Sequence, residues 1–149
     1  MKEPVVADST CLIGLERVGM LDVLPQLFDK VSIPPAVNSE FGKQYDWLEH
    51  ERLAVTPLVT ALRMVVGKGE AEAIALAVQN DRLLITDDKQ ARAAAKRFGL
   101  RVIGTVGILL RAKAGELIAE LKPILDDLQD NGFYMSQALR EEALRIAGE

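Results

Sequence analysis

The residues of this chain best suited to chemistry carry oxygen and come in short blocks. Asp8-Ser9-Thr10 follows the apolar run Pro4-Val5-Val6-Ala7, and Thr86-Asp87-Asp88 follows Leu83-Leu84-Ile85. Glu70 and Glu72 open a long helical pattern. An acid-and-hydroxyl block directly after a buried strand sits at the strand's carboxyl end, where open α/β sheets bind their ligands. Carboxylates gathered there repel one another unless a cation or a shared proton neutralises them. Oxygen ligands flanked by hydroxyls suit a hard cation, Mg²⁺ or Mn²⁺, held at about 2.1 Å with several waters retained. Such a centre activates water and steadies the charge of an in-line attack on phosphorus. Each block also has a structural reading: Asp8 or Ser9 as a helix N-cap, and Glu70 and Glu72 as complements to a helix dipole.

Competing chemistries find little support. His50 is the single histidine and Cys11 the single cysteine, so neither has a partner of its own kind for metal binding. Gly67-Lys68-Gly69 suggests a phosphate loop, but the third glycine of GxGxxG is replaced by Glu72. An acid at that turn would repel phosphate.

The elements that must position these residues follow from periodicity. Leu83-Leu84-Ile85 is an unbroken apolar run, the pattern of a strand buried on both faces in a parallel sheet. The stretch 89–98 is rich in helix formers and closes at Gly99, and Cys11 to Val18 repeats at helical spacing and closes at Gly19. Further strands are expected at 4–7, 30–33, 53–56 and 100–103, with Pro35 opening a helix that carries Glu40. Residues 45–51 read as a polar helix with a surface His50. A helix is expected over 116–130 with Leu117, Leu121, Leu125 and Leu128 on one face. A last helix, capped by Ser136, is lined by Met135, Leu139 and Ile146. Strands alternating with helices predict a three-layer α/β/α architecture around a central, mainly parallel sheet of four to five strands.

Composition bounds the rest. The 149 residues suit one domain, 1–149, with the helices from about 116 as packing or partner surface. Hydrophobic residues at 49% and charged residues at 27% are an ordinary globular balance. A net charge of −4 does not mark a nucleic-acid binder, although clustered acids lower the total while a local basic face persists. With one cysteine, no signal-like segment and no long apolar run, the expectation is a cytoplasmic protein that does not engage a membrane.

The ordered combination of Val5-Val6-Ala7-Asp8-Ser9-Thr10-Cys11-Leu12-Ile13, Ile33-Pro34-Pro35-Ala36-Val37 with Glu40, Gly69-Glu70-Ala71-Glu72-Ala73-Ile74, Leu83 to Asp88 and Gly132-Phe133-Tyr134-Met135-Ser136 resembles the PIN-domain ribonucleases. It looks most like their VapC-like prokaryotic branch. The resemblance implies an acidic quartet around Mg²⁺ or Mn²⁺, single-stranded RNA as substrate, and the toxin role of a toxin–antitoxin pair, with a cognate antitoxin and a homodimer as partners. It places the acids at Asp8, Glu40, Glu70 and Asp88, with Asp87 and Glu72 as alternates for the fourth and third. Ser9, Thr10 and Thr86 would orient carboxylates or water. Two departures stand out: the third acid is Glu where many relatives carry Asp, and the interval from Glu40 to Glu70 is short. Lys89, Arg92 and Lys96 lie at i, i+3 and i+7 beside Asp88, a row that either meets phosphates or is a solvated face. The other reading is a catalytically weak or inactive PIN-like module that binds a partner protein through its C-terminal helices.

Overall fold

The computed structural model describes residues 2–54 and 56–149. Five strands form one sheet, parallel throughout, in the order β3-β2-β1-β4-β5. In chain order the elements are β1 (Pro4–Ala7), α1 (Ser9–Arg17), α2 (Val23–Leu27), β2 (Lys30–Ile33), α3 (Pro35–Phe41), β3 (Leu48–His50) and α4 (Pro57–Leu62). Then follow α5 (Lys68–Asn80), β4 (Leu83–Ile85), α6 (Lys89–Arg97), β5 (Val102–Ile103), α7 (Thr105–Ala114), α8 (Lys122–Asp130) and α9 (Gln137–Ile146). Helices flank the sheet as a three-layer α/β/α domain: α7 packs with α1, α2 and α9, whereas α5 packs with α3, α4 and α6.

The central strands are apolar on both faces because helices cover both. Val5, Val6, Ala7, Leu83, Leu84 and Ile85 are all buried. Each large side chain among them contributes roughly 1.5–3 kcal/mol by leaving water. After β1 the chain builds outward through β2 and β3, then returns to add β4 and β5 on the other side of β1. The topological switch point therefore lies between β1 and β4. Their register pairs Val5 with Leu83, Val6 with Leu84 and Ala7 with Ile85, so the next residues, Asp8 and Thr86, emerge side by side.

Four sequence expectations are corrected. The third strand is Leu48–His50 rather than 53–56, and 45–51 is not helical. Leu53, Ala54 and Thr56 lie outside any strand, with Thr56 capping α4, while Val55 lies outside the described residues. β3 is a three-residue edge strand whose existence depends on pairing with Val31, Ser32 and Ile33 of β2, information that local propensity does not carry. The helix expected over 116–130 begins only at Lys122, with Pro123 in its first turn. Glu116 takes a left-handed φ of 60° and ends the preceding helix instead. In α9 the buried residue is Ala143, and Leu139 and Ile146 are exposed. The Ser136 cap is present, its Oγ accepting the Leu139 N–H at 3.1 Å, and His50 is exposed. No helix among the described residues is long and apolar enough to cross a membrane.

Candidate active site

Asp8 anchors the carboxyl edge. It directly follows β1, donates its backbone N–H to Ile85 O, and caps α1 by accepting the Cys11 N–H at 3.0 Å. Its side chain is only 3% exposed. Burial pushes its carboxyl up to about 7 from 3.8. The Cys11 and Thr86 hydrogen bonds oppose that shift, and the charges of Asp87 and Glu70 add to it. Burial therefore outweighs the favourable end of the α1 dipole. Thr86, itself buried, works as a link: its hydroxyl bonds Asp8 and accepts the Asp88 N–H at 3.3 Å. The buried Cys11 thiol behind Asp8 is pushed well up by desolvation and the neighbouring acids, which makes it a poor nucleophile.

Beside Asp8, Ser9 donates its hydroxyl to Glu40 Oε2 at 3.1 Å, drawing α3 and α1 together at this edge. Glu40 is exposed, and its other oxygen hangs over the first turn of α5. A Cβ on Gly69 would lie 2.1 Å from Glu40 Oε1. The half-buried Glu70 folds back toward Gly67, whose Cβ would meet its Oε2 at 2.5 Å. The two glycines that suggested a phosphate loop thus clear room for carboxylates, a use visible only once α3 stands against α5. Glu72 is held elsewhere. Its Oε1 accepts the Ala36 N–H at 2.9 Å and its Oε2 faces Arg63 at 3.7 Å, so it secures the start of α3. Thr10 is exposed and lines a separate cleft of about 260 Å³ with Arg17 and Phe133.

The two acids after β4 part company. Asp87 turns toward α7, accepting the Thr105 N–H at 2.8 Å and the Thr105 hydroxyl at 2.6 Å. It is also the acid of this pair whose charge raises Asp8. Asp88 is exposed and caps α6, its Oδ2 accepting the Ala91 N–H at 2.8 Å. Lys89 and Lys96 are exposed, but Arg92 is half-buried and donates to Thr86 O at 3.1 Å. The basic row is therefore two exposed lysines and one tethered arginine. Sequence reasoning missed Thr105, which fixes Asp87, and Gly104, where a Cβ would crowd Asp87 Oδ1 at 2.8 Å and Arg92 Nη1 at 3.1 Å. Gly104-Thr105 directly after the last strand was the available signal, since it repeats the strand-then-helix pattern of Asp8-Ser9.

The N-termini of α1, α5, α6 and α7 thus all open at one sheet edge, each with a carboxylate nearby. The donor chemistry fits a hard divalent ion: the oxygens are carboxylate and hydroxyl, and the buried Asp8 is raised by desolvation and by the neighbouring charges of Asp87 and Glu70. The set is not closed, however. Among the described residues, no three acidic, cysteine or histidine side chains converge tightly enough to hold an ion.

Fold and edge together define a small parallel α/β domain with a carboxylate-lined switch point, the class to which PIN domains belong. The family model described as "DUF3368: PIN domain" matches residues 4–149, and the chain belongs to the PIN-domain family. Among solved structures it is similar to a PilT N-terminus domain protein, SSO1118, from the hyperthermophilic archaeon Sulfolobus solfataricus P2. That similarity has a TM-score of 0.51 at 20% identity, over 79% of this chain and 97% of that one, and it supports the fold. No curated protein matches. PIN domains are generally nucleases that use divalent metal ions.

Proposed function

We propose that this protein is a divalent-metal-dependent endoribonuclease that cleaves single-stranded RNA with Mg²⁺ or Mn²⁺. One observation carries the reading: a nearly inaccessible Asp8, raised to about 7, lies at the switch point within the field of Asp87 and Glu70. Strongly perturbed carboxyls at the ligand-binding edge of a sheet concentrate at functional centres. Asp8, Glu40, Glu70 and Asp88 are the residues proposed to hold the ion, and Asp87 competes with Asp88 for the fourth position. When bound, the ion supplies charge neutralisation and a more acidic water. The chain's own part is orientation. Thr86 and Cys11 N–H fix Asp8, Ser9 aims Glu40, Thr105 holds Asp87, and Lys89 and Lys96 offer cations to the RNA backbone.

The resemblance to VapC-like toxins extends the reading to a cognate antitoxin and a homodimer as partners. The second reading, a weakly active module that binds a partner through its C-terminal helices, is favoured by the open ligand set and by exposed Leu139 and Ile146 on α9. Single-stranded RNA incubated with Mn²⁺ or with a chelator separates the two. Wild type should cleave only with the ion, and Asp8→Asn should lose roughly a hundredfold or more. Metal-independent cleavage, or full activity in Asp8→Asn, overturns the nuclease site. Absence of any cleavage together with absence of Mn²⁺-dependent thermal stabilisation favours the module.

A further inference from the structure

A groove of about 520 Å³ opens beside Asp87, between α7 and the segment that leads into α9. That volume lies within the range of small-ligand clefts, about 300–1,000 Å³. Its floor is apolar, with Val106 and Leu110 from α7, and its mouth holds Asp87 and Arg92. The wall is residues 133–136, which alternate as an extended chain does: Phe133 and Met135 turn inward and Tyr134 outward. Tyr134 remains 85% exposed at the rim.

We propose that this groove is a nucleobase subsite, in which Tyr134 stacks on a base of the RNA strand next to the phosphate at the acidic edge. The proposal rests on the nuclease reading and deepens it. Single-stranded RNA is gripped by stacking of splayed bases on aromatic side chains combined with cationic contacts to phosphate. Both parts are here and contiguous with the acids. Arg92 makes no ion pair among the described residues, and its tether to Thr86 O keeps the guanidinium at the mouth. Gly104 keeps the passage between Asp87 and Arg92 free of a side chain. The apolar floor suits a base face, and each oxygen of Asp87 accepts one bond from Thr105, so the carboxylate is held in place as the strand passes.

The test is a binding cycle with a fluorescently labelled single-stranded ten-nucleotide RNA and its abasic counterpart, in chelator so that no strand is cut. Tyr134→Ala should weaken the RNA about tenfold, within the range of one base–aromatic stack, and leave the abasic strand unchanged, while Tyr134→Phe restores wild-type affinity. Because Tyr134 is exposed, all variants should melt with wild type. Equal affinity of Tyr134→Ala and wild type for RNA overturns the subsite, and so does an equal loss on both strands. If wild type cleaves RNA with Mn²⁺ and Tyr134→Ala binds it unchanged, the subsite alone fails and the groove is left to an apolar protein segment. If wild type neither binds nor cleaves RNA, the nuclease reading fails with it.

Discussion

Asp8 sets the pH behaviour of the metal-free protein. Its carboxyl lies at about 7 in the fold against 3.8 ordinarily, so the folded state holds the proton more tightly than the unfolded chain. Stability is therefore greatest below pH 4 as far as this group is concerned, and it falls as pH rises from about 4 to about 7. Beyond that the cost is constant, on the order of a few kcal/mol. Asp8→Asn removes the ionisable group while keeping a good helix cap. In chelator, the variant should melt several degrees above wild type at pH 8, by a smaller margin at pH 5, and close to it at pH 4. A melting difference that stays flat across this range would remove the buried charge from the explanation. The neighbouring Asp88 is a contrast. It is exposed and already engaged with Ala91 N–H, so Asp88→Asn should leave the metal-free melting temperature almost unchanged.

At the scale of elements, the first turn of α5 is where fold and chemistry compete. Glycine there lowers helix stability by up to about 1 kcal/mol relative to alanine. Gly69 is nonetheless required if Glu40 is to reach over it and accept from Ser9, because a Cβ would come within 2.1 Å of Glu40 Oε1. The obstructed atom is the end of a flexible side chain, so Glu40 moves and the backbone stays. Gly69→Ala should fold with an unchanged or slightly higher melting temperature and cleave RNA about tenfold more slowly. Adding Gly69→Ala to Glu40→Ala should cost nothing more, since both act through one carboxylate. Independent, additive losses would show that Gly69 serves another purpose.

Over the whole molecule, an acidic protein is expected to bind an acidic polymer through a local field. The net charge of −4 opposes RNA at long range, while exposed Lys89 and Lys96 stand on α6 beside the acidic edge. If they meet phosphates, replacing both with alanine should weaken RNA binding and flatten the slope of log affinity against log salt by about 1.4. Stability should hardly change, because exposed charges contribute little. A double variant with the wild-type slope would move the RNA path to another face. Arg92 is unsuited to this comparison because its tether to Thr86 O makes it part of the fold.

By itself the sequence determined the elements whose signal is local. Unbroken apolar runs marked β1 and β4, glycines and prolines marked helix ends, and the acid-plus-hydroxyl blocks marked the carboxyl edge. Asp8 and Thr86 could be placed there because a strand buried on both faces belongs inside a parallel sheet, whose ends are shared. Tertiary structure alone decided what depends on pairing or on side-chain direction. β3 formed at 48–50 because β2 offered an edge. Glu72 turned to Ala36, Asp87 to Thr105 and Asp88 to its own helix, although all three read alike as acids at a turn. A carboxylate accepts from whichever donor the packing brings within about 3 Å, and no spacing along the chain specifies which donor that will be.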